Sequence, residues 1–357
     1  MMNQLKPIID YLNKNNTSDE EVRISYEKLT EICGINITQN SFIGFALIPF
    51  YQSSEWTFSR ALTKVAVFRK KYKTYETKII AFVDILGFKQ LIETTKTIPD
   101  ALKSVIDQIQ YLKAWDSSGP NEWNSRSLFS QDDIVKNASP NEQEKYNIKD
   151  IVTCTSISDC IIVSVSFDET NFHQHLSALV SELSYIGFKL IQSGVPIRGA
   201  ITVGKVIHTK SNLLLGPAYV EAYQLEEKVA EYPRIILSDE LQKLILPPDN
   251  LNPTYPYQRL FVTYQDKDMN KRKNIMGFDQ LQYFKLYANN PSNFALPQEI
   301  NRAKEFIEHQ IYENKNDAHI LEKYLFLKNR FNRLNIPLVT QNPINSSIMS
   351  DLMDEKY

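Results

Sequence analysis

A chain of 357 residues with 43% hydrophobic composition is long enough for one large domain or two ordinary ones, and it can bury a sizeable core. That excludes a disordered chain, and a formal net charge of −2 gives no whole-chain reason to expect nucleic acid or a membrane surface as a partner. Cys33, Cys154 and Cys160 show neither metal-ligand spacing nor the even count of a disulfide framework, and no window reaches the roughly 18–20 apolar residues of a membrane span. The expectation is a cytoplasmic protein with reduced thiols.

Residues 1–77 read as a mostly helical N-terminal extension with a winged-helix-like pattern. An amphipathic start (Leu5, Ile8, Ile9, Tyr11, Leu12) leads to SYEKLTEICG, and a second helical pattern covers EWTFSRALTKVAVFRKKYK. From residue 78 the character changes. IIAFVDIL is a short run rich in β-formers and reads as a buried strand, after which Gly87-Phe88 opens a helix to about residue 114. The polar, turn-rich stretch at about 116–147 reads as a surface insertion. IVTCTSISDCIIVSVSF gives two strands around a tight turn at Ser158-Asp159, and a helix covers about 170–193. VPIRGAITVGKVIHT predicts another hairpin, GPAYVEAYQLEEKVA a helix and PRIILSDEL a strand. This order predicts an α+β fold over 78–296, with helices on one face of a mainly antiparallel sheet. Residues 297–357 form a helical C-terminal extension, with Phe306, Ile307, Ile311, Leu321, Tyr324 and Leu325 as its apolar stripe.

Two acidic residues stand out against this pattern. Asp84 interrupts FVDIL and Asp159 lies at the tip of SISDCIIVS. A carboxylate within an apolar strand is costly unless something satisfies it, and metal coordination is one solution. Two carboxylates on adjacent strands can hold two divalent cations, which bridge phosphate oxygens and activate a hydroxyl. Gly87, three residues after Asp84, permits a close turn whose N–H groups, with those at Phe88, can cradle phosphate. Each aspartate also has an ordinary reading, as a turn residue or a satisfied core group. By period-2 alternation Phe82 shares the side of Asp84, and Thr155 that of Asp159. The five histidines show no ligand spacing and receive no role.

FVDILGF resembles the first metal-binding strand and phosphate loop of class III nucleotidyl cyclases, and SISDC resembles the hairpin that carries their second metal aspartate. PIRGAITVGKV is similar to the following strand of that family, with Arg198 and Gly204 six residues apart. LLLGPAYVEAYQLEE stands where the family places a glycine and its transition-state helix. The resemblance covers about residues 78–240 and implies a ferredoxin-like cyclase sheet. Purine-specific members carry a lysine at the position of Thr155 and a polar residue at that of Leu213. Their transition-state asparagine and arginine fall at about Val220 or Glu221 and at Gln224. The purine-reading set is therefore absent. With AYxLE, YPRI and KYLFL, the chain most resembles the uridylate and cytidylate cyclases of Pycsar anti-phage systems.

The resemblance implies conversion of UTP, in preference to CTP, to a 3′,5′-cyclic nucleotide that activates a separate effector protein. Asp84, Asp159 and the carbonyl of Ile85 would hold two divalent cations, Mn²⁺ or Mg²⁺. Catalysis would draw on Arg198, Glu221 and Gln224, and substrate binding on Phe82, Gly87, Phe88, Thr155, Leu213 and Arg234. Arg198 or Arg234 would replace the missing arginine. Family members are head-to-tail homodimers with sites at the interface. The rivals are a catalytically silent nucleotide sensor with a cyclase fold and, more weakly, a two-metal nuclease.

Overall fold

The computed structural model describes residues 2–15, 21–38, 56–70, 75–93, 100–115, 152–167, 169–209, 212–245, 256–265, 274–284, 296–341 and 343–344. The insertion expected at about 116–147 lies outside them. The chain divides into two compact units, Met1–Glu76 with Thr209–Leu213 and Thr77–His208 with Leu214–Tyr357.

In the first unit, α1 (Met2–Asn15) and α2 (Tyr26–Cys33) accompany a three-stranded antiparallel sheet of β1 (Glu21–Ser25), β2 (Trp56–Ala61) and β3 (Val65–Lys70), in the order β1-β3-β2. The segment expected as a second helix is thus a β-hairpin. Trp56 and Phe58, two residues apart, are buried, while Ser59 next to them is exposed. That period of two is a strand's, and β-branched Val65 and Val67 favour it. Ile8, Leu12, Leu29, Trp56 and Phe68 share one core.

The second unit opens with β4 (Glu76–Ile85). Then follow α3 (Phe88–Glu93), α4 (Asp100–Trp115), β5 (Val152–Ile157), β6 (Cys160–Ser166), α5 (Phe172–Gln192), β7 (Ile197–His208), β8 (Leu214–Leu215) and α6 (Pro217–Lys228). Next come β9 (Ile235–Leu237), α7 (Asp239–Ile245), β10 (Val262–Gln265), β11 (Asn274–Phe278), α8 (Leu296–Glu313), α9 (Ala318–Asn332) and α10 (Pro337–Gln341). The sheet order is β10-β11-β9-β7-β4-β6-β5, with β8 paired to β7 alone. β6 pairs antiparallel with both β4 and β5, whereas β7 and β9 are parallel. The fold is α+β.

Both faces of the central strand are buried. Ile79, Ala81, Val83 and Ile85 point toward a core shared with Leu176, Leu179 and Leu183 of α5. Ile80 and Phe82 point the other way, against Ala218 and Ala222 of α6. Helices therefore cover two faces rather than the single face expected. A strand buried on both sides reads as a continuous apolar run, which is why IIAFV lacks alternation. The expected helix from Phe88 to about residue 114 is two helices, α3 and α4. Residues 94–99, between them, lie outside the described residues.

β7 also differs from expectation. VPIRGAITVGKVIHT contains no internal turn; its strand runs unbroken through Gly204 to His208 and meets β8 at Leu214–Leu215. Gly204 serves proximity instead. A Cβ there would lie 3.2 Å from the Ala218 side chain, so its absence lets α6 pack close to the strand. The C-terminal helices belong to this unit: Ile307 and Ile311 of α8 and Leu321 and Leu325 of α9 share a core with Phe188 and Ile191 of α5.

Candidate active site

β4 and β6 are neighbours with Asp84 directly opposite Cys160. Ser158, with φ 55°, closes the two-residue turn between β5 and β6 and so lifts Asp159 to the tip of the hairpin beside the end of β4. The Ile85 N–H donates to the Asp159 carbonyl at 3.0 Å, which fixes the two aspartates side by side. Ligating atoms of Asp84, Asp159 and Cys160 all lie within 4.8 Å of one another.

Arg198, on the neighbouring β7, closes the cluster from the other side. Its Nε donates to Asp84 Oδ2 at 3.2 Å and also pairs with Glu226 Oε1 from α6. Burial raises the Asp84 pKa, with the Asp159 charge adding to it and Arg198 opposing both. Burial likewise pushes Glu226 up to about 7, against the pull of Arg198. Burial and the surrounding carboxylates push the Cys160 thiol up to about 12. Cys160 therefore stays a thiol beside two hard oxygen donors. Two carboxylates within one ion's reach suit Mg²⁺ or Mn²⁺, which prefer oxygen ligands, so the residues present fit a divalent-cation site.

Glu226 escaped the sequence reading, although a signal existed. Ala218, Ala222 and Glu226 are spaced by four, and all three are buried, so the glutamate sits on the inner stripe of α6. The other sequence-derived residues occupy different surroundings. Phe82 is 4% exposed and packs edge-on against Tyr223, with centroids 5.5 Å apart, as a core residue under α6. The Glu221 carboxylate accepts from the Thr202 hydroxyl at 3.0 Å, whereas Gln224 is exposed on the outer face. Leu213 lies in the β7–β8 connection, where its N–H meets Thr209 Oγ1 at 3.2 Å. Arg234 is buried in an aromatic box of Tyr232, Tyr264 and Phe326, with its guanidinium 4.9 Å from the Tyr264 ring centre. That environment serves packing of β9 against the C-terminal helices. Gly87 has φ 76°, and a Cβ added there would meet nothing within 4 Å, so the glycine is needed for its turn and not for close approach. The six-residue α3 after it, beginning at Phe88, is too short for a strong phosphate-binding terminus.

Thr155 is 2% exposed and faces the interior, where its hydroxyl lies 2.9 Å from His208 Nε2. The other ring nitrogen is 2.8 Å from Ser164 Oγ, and Lys78 Nζ donates to the His208 carbonyl at 3.1 Å. His208, given no role from sequence, thus organises a buried polar chain beneath the sheet. Burial, aided by the Lys78 charge, lowers its pKa to about 3. The folded state thus holds this histidine neutral while the unfolded chain protonates near 6.5. Its contribution is fully present above pH 6.5 and is lost as pH falls toward 3. Acidification from pH 7 to 4.5 is expected to remove about 2–3 kcal/mol of stability through this group. Denaturant unfolding at both pH values checks this: His208→Gln should show a smaller loss on acidification than the wild type. An equal loss in both would show that His208 does not carry it.

No protein-family model matches the sequence, and no curated protein matches it significantly. Among solved structures, the chain is similar to the catalytic core of a rhodopsin-guanylyl cyclase with converted specificity in complex with ATPαS. Identity is 14%, coverage 58% of this chain and 97% of that one, and the TM-score 0.36. It is also similar to the monomeric guanylyl cyclase domain of a RhoGC fusion protein from the aquatic fungus Blastocladiella emersonii. There identity is 16%, coverage 58% and 96%, and the TM-score 0.33. No helix among the described residues is long and apolar enough to cross a membrane.

Proposed function

We propose that this protein is a metal-dependent nucleotidyl cyclase that converts a pyrimidine nucleoside triphosphate, UTP before CTP, to its 3′,5′-cyclic monophosphate and diphosphate. The observation that carries this reading is the pair of carboxylates, Asp84 and Asp159, set side by side on adjacent strands with Arg198 against them. It agrees with the motif resemblance of FVDILGF and SISDC. Asp84 and Asp159, with the Ile85 carbonyl, would hold the two cations, Mn²⁺ or Mg²⁺. When bound, these supply charge neutralisation of the triphosphate and activation of the ribose 3′-hydroxyl.

The chain's own residues do the positioning. Arg198 presents a cation toward the metal carboxylates, where polyphosphate oxygens would lie, and Glu226 keeps that guanidinium in place. The base preference rests on Thr155 and Leu213 at positions where purine cyclases carry polar readers; the Thr155 hydroxyl is also committed to His208. Glu221 is engaged by Thr202 and Gln224 is exposed, on the helix that also exposes Val220 and Tyr223. A head-to-tail homodimer would bring that helix to the site of its partner copy. The product would serve as a second messenger for a separate effector in anti-phage defence.

Incubating the full chain with each of the four ribonucleoside triphosphates and Mn²⁺, followed by mass spectrometry, tests the reading. Cyclic UMP as the main product is expected. Cyclic AMP or cyclic GMP in its place would overturn the base preference and leave the cyclase standing, whereas hydrolysis or no product would overturn the cyclase.

A further inference from the structure

The helix α9 carries a row of residues at positions 323, 326 and 330, spaced three and four apart and hence on one face. Two of them are anchored. Phe326 stacks on Tyr232 with ring centres 5.1 Å apart and shares a core with Ala200 of β7, and Arg330 Nε donates to the buried Asp279 Oδ2 at 2.8 Å. Ala200 is two residues beyond Arg198 on the same face of β7. The Gly199 N–H beside Arg198 donates to the Arg234 carbonyl at 3.0 Å, and the Arg234 guanidinium lies 5.8 Å from the Phe326 ring centre, so Phe326 packs near the Arg198 end of β7 and Lys323 is the next position of its row.

The electrostatics agree with that placement. The charges that act on Lys323 are Arg198, Asp84, Asp317 and Glu231, and Lys323 in turn acts on Asp84. Among the described residues no carboxylate lies within ion-pairing distance of its ammonium. Burial and the neighbouring Arg198 both disfavour its charge. Two partly buried cations that act on one another and on Asp84, one of them without an ion-pair partner among the described residues, make a seat for an anion that carries several negative charges.

We propose that Lys323 is a polyphosphate-binding residue, delivered to the carboxylate site by the C-terminal helix α9 and acting beside Arg198. This rests on the reading of the site as one for a nucleoside triphosphate. It makes the C-terminal helices a working part of the site, contributing a cation that β4, β6 and β7 do not supply. An amine there meets the terminal phosphates of the substrate and the diphosphate that leaves.

The test is calorimetric titration of the full chain with inorganic tripolyphosphate at fixed Mg²⁺, comparing wild type with Lys323→Met, Lys323→Arg and Lys315→Met. Methionine keeps the apolar stem, so thermal melting should be unchanged. Lys323→Met should weaken tripolyphosphate binding about 10-fold or more, with uridine monophosphate binding altered less than about 3-fold. Lys323→Arg should retain affinity within about 3-fold, and the exposed Lys315→Met should match wild type. In turnover, KM for the triphosphate should rise with the same ratio. Equal tripolyphosphate affinity in wild type and Lys323→Met, or no binding by wild type, overturns the proposal. Weakened binding in a protein that cyclises no nucleotide would instead retain this polyphosphate site and refute the cyclase reading.

Discussion

Asp84→Asn is expected to remove turnover, by on the order of 10³-fold or more, while leaving the melting temperature unchanged or slightly raised. The activity loss follows from the charge: the several kcal/mol that bound cations contribute to a phosphoryl transition state require both carboxylates, and each 1.36 kcal/mol is tenfold in rate. The stability result follows from the same geometry with opposite sign. Asp84 is a mostly buried carboxylate whose ionised form is disfavoured by burial and by Asp159. An amide of the same shape removes that cost, and Arg198 keeps Glu226 as a partner. The site is held at the expense of stability, as functional clusters often are. Product formation, Mn²⁺ titration and thermal melting in EDTA decide the matter together. Asp159→Asn should behave alike, and the double variant should lose little more than either, because the two act as a unit. Turnover near wild type in Asp84→Asn would end the two-carboxylate reading.

Arg198→Met should reduce both stability and activity, and the two losses should separate on repair. Without the guanidinium, Asp84 and Glu226 lose the one cation that pairs with both of them. Removing one side of a fully buried pair costs about 3–5 kcal/mol. The Arg198 and Asp84 side chains retain 23% and 16% exposure, so about 2 kcal/mol is the expected loss here. Adding Glu226→Gln to Arg198→Met removes the stranded charge and should restore most of that stability, read as the denaturant midpoint. Activity should stay depressed by about 10²-fold or more in both variants, because neither returns a cation to the polyphosphate. Recovery of activity along with stability would show Arg198 to be structural only.

Some of the site was legible in the chain because the signals are local. A carboxylate within FVDIL and an aspartate in a two-residue turn between β-forming runs are decisions of strand period and turn chemistry, which span a handful of residues. The stripe of Phe306, Ile307, Ile311, Leu321, Tyr324 and Leu325 is equally local, since a helix repeats its face every three or four residues. Where period failed, so did the reading. WTFSRA and VAVFRK are short apolar runs that fit helix or strand, and the hairpin they form depends on pairing with Glu21–Ser25, outside any local window.

By itself the sequence determined the central apolar strand, the two aspartates at strand and turn, and the helical C-terminal segment, because each follows from spacing along a few residues. Only the tertiary structure decided what meets those aspartates. Arg198 is 114 residues from Asp84, and Glu226 and Lys323 come from helices on other parts of the sheet. His208 is 53 residues from the Thr155 hydroxyl it engages. These partners share no periodicity with the residues they serve. They are brought together by the strand order β7-β4-β6 and by helix packing on both faces, and the cost of burying unpaired charge then selects which side chains meet.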